Sequence, residues 1–192
     1  MIGLLPETLT IGGKEHEICP DFRIALLIFE AYDDPNLSPF DKAAVMLDSL
    51  FASPDEIPSE YLQEACTVAS WFLDGGKEES SEQTSHIQPK ATQLFSWTQD
   101  EQMIFSAINK VAGCEIRSLE FLHWWTFLGY FSEIDEGLFT TVISIRQKQA
   151  KRKPLEKWEK QFYEKNKDLV DIKRKYSAEE QAEREFINKL LG

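Results

Sequence analysis

The first apolar and polar runs of the chain predict a β-hairpin. Residues 9–11 and 16–18 are short stretches with apolar members, and they flank the sequence Gly12-Gly13-Lys14. A Gly-Gly pair between two such stretches is typical of a tight hairpin turn. A hairpin of this size is marginally stable alone, so we expect it to pack on the rest of the chain.

Beyond Asp21, apolar residues recur at intervals of three and four, which predicts amphipathic helices. Residues that cap helices mark the predicted starts, and residues that break helices mark the predicted ends. The starts are Asp21, Ser38-Pro39, Ser59 and a Thr98/Glu101 capping box, and the ends are Tyr32, Gly75-Gly76 and Gly113. On the second helix, the spacing places Phe40 and Leu47 on one inward face.

Residues 116–131 are the most apolar segment, and we predict that they form a helix at the centre of a bundle. Four adjacent residues of this segment are assigned to the core: Leu122, His123, Trp124 and Trp125. A single histidine in a core is expected to hydrogen-bond to a carbonyl group. A shorter amphipathic helix is predicted over residues 138–146.

The charged segment after Gln147 carries only a thin apolar stripe along its predicted helix. The members of this stripe are Trp158, Phe162, Leu169 and Ile172. A helix with so narrow an apolar face is marginal alone, so these side chains need a partner. Either a client or neighbouring subunit covers them, or the stripe folds back on the chain's own core. A final helix is predicted after a capping box formed by Ser177 and Glu180.

These elements predict a mostly α fold, with a short N-terminal β-hairpin packed on a helical bundle and a charged C-terminal helical extension. We assign residues 1–146 to the hairpin and bundle, and residues 147–192 to a basic, charged helical tail. Residues 77–93 are polar and are predicted to be a mobile linker that interrupts the bundle.

Charge is distributed unevenly about the net value of −12. Residues 1–137 carry 7 basic and 24 acidic side chains, a net charge of −17, whereas residues 138–192 carry 14 and 9, a net charge of +5. An acidic body with a basic tail can attract further copies head to tail, or the tail can simply be a solvated helix. The candidate basic patch comprises Arg146, Lys151, Arg152 and Lys153.

Candidate chemistry is sparse. No metal-binding motif, cofactor motif or set of nucleophile and base is recognisable, so we predict a protein that is not an enzyme and holds neither metal nor cofactor. His16 is assigned to the hairpin surface. The three cysteines lack CxxC spacing and fit reduced thiols in a cytoplasm, and no apolar run is long enough to cross a membrane.

Three stretches of the sequence are distinctive: Leu5-Pro6-Glu7-Thr8-Leu9-Thr10-Ile11-Gly12-Gly13-Lys14-Glu15, then Trp71-Phe72-Leu73 before Gly75-Gly76-Lys77, and Leu119-Glu120-Phe121-Leu122-His123-Trp124-Trp125-Thr126-Phe127-Leu128. Together they resemble the bacteriophage family whose founding member is called gene product fifteen. The resemblance covers roughly residues 5–170, and the Leu-His-Trp-Trp core is its most specific part.

This resemblance implies a tail assembly chaperone or scaffold of a long-tailed phage, acting in the cytoplasm of the host cell. Such proteins are thought to bind the tape-measure protein and keep it soluble until the tail-tube protein polymerises around it. The resemblance also implies a homo-oligomer and supplies no catalytic residues. The alternative is a nucleic-acid-binding accessory protein that uses the basic tail, which the isoelectric point of about 4.8 disfavours.

Overall fold

The computed structural model of the chain describes residues 3–77 and 93–191. Within these residues it contains one two-stranded antiparallel sheet and nine α-helices, which confirms the predicted mostly α class. The helices are α1 (Phe22–Tyr32), α2 (Pro39–Leu50), α3 (Leu62–Leu73), α4 (Glu101–Ala112), α5 (Trp124–Ser132), α6 (Leu138–Ala150), α7 (Lys157–Lys165), α8 (Lys167–Val170) and α9 (Ala178–Leu191).

The chain divides into two compact units. The first comprises Met1–Gly76 together with Arg174–Gly192, and the second comprises Lys77–Lys173. This division differs from the predicted one, because the segment predicted as a single tail from residue 147 is shared between the units. Most of the predicted linker, residues 78–92, lies outside the described residues.

The hairpin of the first unit pairs β1 (Thr8–Ile11) with β2 (Lys14–Glu17), as predicted. Gly12 and Gly13 have φ of +58° and +77°, the positive values that a two-residue hairpin turn requires at both positions. Strand β1 packs on α3, and the amide of Gly12 donates a hydrogen bond to Glu64. His16 is buried edge-on against Phe51, so its assignment to the hairpin surface was wrong.

Two of the three helix starts predicted in the first unit are confirmed. The carboxylate of Asp21 accepts the Arg23 amide at the start of α1, and Ser38 with Asp41 forms a capping box at the start of α2. The cap predicted at Ser59 was wrong, because Ser59–Tyr61 form a 3₁₀ turn and α3 begins only at Leu62, after an N-cap without a side-chain hydrogen bond. The inward placement of Phe40 was wrong, since this ring is 80 % exposed. Phe40 and Leu47 share one face of α2, but the buried residues of this helix, Met46, Leu47 and Leu50, all lie in its second half, and Phe40 lies in its first turn.

In the second unit, the predicted helix over 116–131 begins only at Trp124. Ile116–Ser118 form a 3₁₀ turn, and Leu119 and His123 have extended backbone angles that no helix can include. His123 is the N-cap of α5, and its Nδ1 accepts the Trp125 amide at 3.0 Å. The apolar residues before Trp124 therefore lie in a 3₁₀ turn and a non-helical segment, a distinction that counting apolar residues does not make.

Two capping predictions had opposite outcomes. The box predicted from Thr98 and Glu101 was wrong, because Asp100 is the N-cap of α4 and its carboxylate has other partners. The box predicted from Ser177 is confirmed, since the Glu180 amide donates to its hydroxyl and its own amide donates to the Glu180 carboxylate. An amide at α9's first turn, that of Ala178, also donates to the Asn36 side chain within the first unit.

The second unit encloses an aromatic core. Trp124 stacks on Phe127, with ring centroids 5.3 Å apart, and Trp97 meets both of these rings. Phe131 extends the cluster through its own contact with Trp97. These rings join α5 to the segment that leads into α4.

Candidate interaction surfaces

Arg146, predicted to belong to a basic surface patch, is buried and organises the second unit. Its Nε donates to the Val170 carbonyl at 2.6 Å, and its Nη2 donates to the Leu169 carbonyl at 2.9 Å. Both Nη atoms bind the carboxylate of Asp100, and Nη1 also donates to the carbonyl of Leu94. All five N–H donors of the guanidinium are thereby used, so this residue is unavailable to a partner.

A second buried charge, Glu159, joins α7 to α6. Its side chain is 1 % exposed, and its carboxylate accepts the ammonium of Lys148 at 2.6 Å and the Glu156 amide at 2.8 Å. These hydrogen bonds lower the pKa of Glu159 below its ordinary value of 4.5. The contact with Lys148 holds the first turns of α7 against the last turns of α6.

This lowered pKa predicts a pH dependence of stability. Because the pKa of Glu159 is lower in the folded protein than in the unfolded chain, ionisation of this carboxylate stabilises the fold. This stabilisation is complete above about pH 4.5 and is lost as the pH falls through the folded-state pKa. Lys148→Met removes the main cause of the shift, so acid unfolding should begin at a higher pH than in the wild type. Far-ultraviolet circular dichroism against pH measures this, with Lys151→Met as control; coincident curves for all three proteins would contradict it.

The remaining members of the predicted patch do lie at the surface, close in sequence to Trp158, the one exposed member of the predicted stripe. We call this surface the basic face, defined by Lys151, Arg152, Lys153, Lys157 and Trp158. The Trp158 ring is 52 % exposed, and its Nε1 donates to Glu156 at 2.9 Å. The four cations form no ion pair within the described part of the chain.

The other members of the stripe, Phe162, Leu169 and Ile172, are half-buried in the second unit. The fully buried apolar residue of this region is Val170, which does not belong to the predicted stripe. Of the four motif residues assigned to the core, Leu122, His123 and Trp124 are buried and Trp125 is half-buried.

Arg152 occupies a backbone position that normally holds glycine. After α6 ends, the Arg152 amide donates to the Gln149 carbonyl and the Lys153 amide donates to the Lys148 carbonyl, the pair of bonds that defines a Schellman motif. The motif requires a left-handed residue, and Arg152 has φ of +52°. A side chain other than glycine is strained there.

Arg152→Gly should therefore stabilise the protein by about 1 kcal/mol, because glycine adopts the left-handed conformation without steric cost. Arg152→Ala keeps the strained backbone and removes the same charge, so it should give no such gain. Chemical denaturation of the three proteins measures the difference. Equal stabilities for Arg152→Gly and Arg152→Ala would show that the backbone is not strained.

A groove of about 620 Å³ lies between α4, residues 133–137 and the first turn of α6. We call it the acidic groove. Its apolar lining comprises Met103, Ala107, Val111, Ile134, Leu138 and Phe139, and the carboxylates of Glu133, Asp135 and Glu136 lie at its exposed edge. This groove was not predicted from the sequence, because its lining comes from residues of α4 and α6 that are distant in the chain.

Within residues 3–77 and 93–191, no group of three or more His, Cys, Asp or Glu side chains converges as metal ligands do. In the same ranges, no buried side-chain nitrogen or oxygen lacks a hydrogen-bond partner. None of the helices described there has the length and apolar character needed to cross a membrane. The candidate sites of the described residues are therefore surfaces, the basic face and the acidic groove, which combine apolar and charged side chains.

The sequence profile of a family described as Bacteriophage Gp15 protein matches residues 1–172. The chain belongs to this family. Among the described elements, the match spans the hairpin and helices α1 to α8, and α9 lies outside it. No curated protein and no solved structure matches the chain significantly. Membership of the Gp15 family supports a structural or assembly role in a bacteriophage and fits a protein that is not an enzyme.

Proposed function

We propose that this Gp15 family protein is a non-enzymatic tail assembly chaperone or scaffold that acts in the host cytoplasm. It binds the phage tape-measure protein, associates with further copies of itself, and releases the client when the tail-tube protein assembles. The observation that carries this proposal is the family match over residues 1–172. A long helical client offers repeated apolar faces, which suits a binding protein present in many copies.

The exposed apolar side chains of the two units support this role. The first unit exposes Phe40 at the start of α2, and the second unit exposes Trp158 and the acidic groove. Large aromatic side chains that remain exposed on a folded protein are typical anchors of binding surfaces. Burial of these groups against a client is reversible, as a chaperone requires.

Co-expression with the tape-measure protein tests the proposal. The client should be soluble only when this chain is present, and it should elute with this chain in size exclusion. Phe40→Ser should reduce the amount of soluble client without unfolding the chaperone, because this ring is 80 % exposed. The matched control is Phe186→Ser, which changes a 63 % exposed ring on α9, outside the family match. An insoluble client beside a folded wild-type chain would contradict the proposal.

A second candidate function is nucleic-acid binding, because the basic face combines four cations with an exposed tryptophan. Such a surface can neutralise phosphates and stack a base. Its affinity for DNA would fall steeply with salt and would fall further in a Lys151→Ala variant. Binding of the tape-measure protein through apolar contacts is expected to change little with salt concentration. The salt dependence of binding therefore distinguishes the two candidate functions.

A further inference from the structure

We propose that the basic face of one copy docks in the acidic groove of a second copy, so that copies associate head to tail. The inference rests on the self-association included in the proposed function, and it names the two surfaces that carry it. Both surfaces lie in the second unit, and both lie inside the residues that match the family.

The acidic groove is suited to a large apolar side chain that carries positive charges beside it. Its volume of about 620 Å³ lies within the range of ligand sites and accommodates an indole ring. Three carboxylates lie at its edge, and the one lysine there, Lys110, donates to the carbonyl oxygen of Glu136. The edge therefore keeps an excess of negative charge that repels an acidic ligand and attracts a basic one.

The basic face has the complementary chemistry. Trp158 presents about half of its surface to solvent at the start of α7, and Lys157 precedes it. Lys151, Arg152 and Lys153 lie on the turn that leads to α7 and make no ion pair with a described residue. An exposed aromatic side chain close in sequence to unpaired cations matches an apolar groove with an acidic edge.

The conformation of Arg152 independently indicates that this face binds a partner. The turn after α6 requires a left-handed residue, and glycine would fill that position without strain. Arginine is present there instead, with its side chain exposed. Strain of this kind is typical of functional sites, where the side chain contributes something other than stability.

The acidic edge of the groove, residues 133–137, precedes the first residue of α6, whereas the basic face follows its last residue, so the length of α6 separates the two charged groups within one copy. Leu138 of the groove is the first residue of α6, whereas Lys148 contacts α7 ten residues later, a rise of roughly 15 Å along the helix axis. A contact between two different surfaces is heterologous, and it repeats from copy to copy into a ring or an open array. An array of this kind can extend along a long client.

The test uses two full-length variants, each of which removes one surface. Trp158→Ala removes the anchor, and Val111→Lys places a positive charge in the groove. Sedimentation velocity should show wild-type assemblies that grow beyond the dimer with concentration, and each variant should raise the dissociation constant at least about 30-fold. An equimolar mixture of the two variants retains one intact basic face and one intact groove, so it should form dimers and nothing larger.

Matched controls change equally exposed apolar side chains elsewhere in the second unit. Phe121→Ala changes a ring that is 56 % exposed, against 52 % for Trp158, and Leu119→Lys changes a side chain that is 36 % exposed, against 37 % for Val111. Both controls should assemble as the wild type does. Loss of assembly in the controls, or full assembly of Trp158→Ala, would overturn the inference.

Arg152→Gly tests the contribution of this charge to association without unfolding the protein, because it removes the charge and preserves the backbone hydrogen bonds of the turn. It should weaken association about threefold at low salt, and the difference should shrink as salt is added. An unchanged dissociation constant would overturn the role of Arg152. A wild-type chain that remains monomeric while this face shifts DNA would overturn the docking proposal in favour of nucleic acid.

The outcome for the client is separate from the outcome for self-association. A wild-type chain that solubilises the tape-measure protein without assembling through these surfaces overturns this inference and leaves the proposed function standing. Assembly lost specifically in Trp158→Ala and Val111→Lys supports the inference even where the tape-measure protein stays insoluble, a result that contradicts only the proposed function.

Discussion

Arg146→Met should destabilise the second unit by about 3–5 kcal/mol, because it breaks a buried ion pair by removing one partner. The change leaves the buried Asp100 carboxylate without its cation and leaves the carbonyls of Leu94, Leu169 and Val170 without these donors. Guanidinium denaturation followed by tryptophan fluorescence measures the loss, since four of the five tryptophans lie in this unit.

Lys151→Met is the matched control, because it removes an exposed cation five residues beyond Arg146 and should change stability by less than about 0.5 kcal/mol. The double variant Arg146→Met, Asp100→Leu should lose less than the sum of the two single changes, since it leaves no unpaired charge in the interior. A stability of Arg146→Met close to that of the wild type would show that this ion pair does not hold the unit together.

Trp124→Ala should also cost about 3–5 kcal/mol, because it removes a fully buried ring from the aromatic core. The indole stacks on Phe127 and meets Trp97 edge-on, so its removal leaves a cavity between α5 and the segment before α4. Trp125→Ala is the natural comparison, since this neighbouring ring is only half-buried and should cost less. Calorimetric unfolding of the two variants measures the difference. Equal losses, or a larger loss for Trp125→Ala, would contradict the placement of these rings.

Sequence reasoning predicted the elements whose signals are local. The Gly12-Gly13 turn, the cap at Asp21 and the Ser38 box depend on residues within a few positions of one another, and all three are confirmed. Predictions from local signals were wrong where a residue distant in sequence binds the side chain at the predicted helix start. Asp100 is committed to Arg146, 46 residues away, and this pairing accompanies an N-cap that replaces the expected Thr98 box.

Buried and exposed positions were harder to predict, because periodicity shows which residues share a helix face and does not show how deeply each side chain is buried. Phe40 lies on the same helix face as Leu47 and is exposed, whereas Arg146 was predicted to lie at the surface and is buried. The acidic groove depends on α4 and α6 meeting beside residues 133–137, which no local pattern encodes. The basic face is the part of the candidate site that the sequence did indicate, through Lys151, Arg152, Lys153 and Trp158.

The extended segment before α5 shows a further limit of pattern reading. Apolar residues from Ile116 to Leu122 predict a helix, yet this stretch forms a 3₁₀ turn over Ile116–Ser118 followed by residues without helical structure. His123 then begins the helix by accepting an amide hydrogen, a role usually filled by Ser, Thr, Asp or Asn. The Leu-His-Trp-Trp sequence therefore combines a helix start with core packing.

The mass of the complex formed with the tape-measure protein tests the chaperone proposal most directly. The two proteins are co-expressed, the soluble complex is purified, and size exclusion with light scattering gives its mass and the number of chaperone copies on each client. We predict a soluble complex in which many copies accompany one client, and fewer copies when Trp158→Ala prevents head-to-tail contact. A client that remains insoluble while this chain elutes alone would contradict the account.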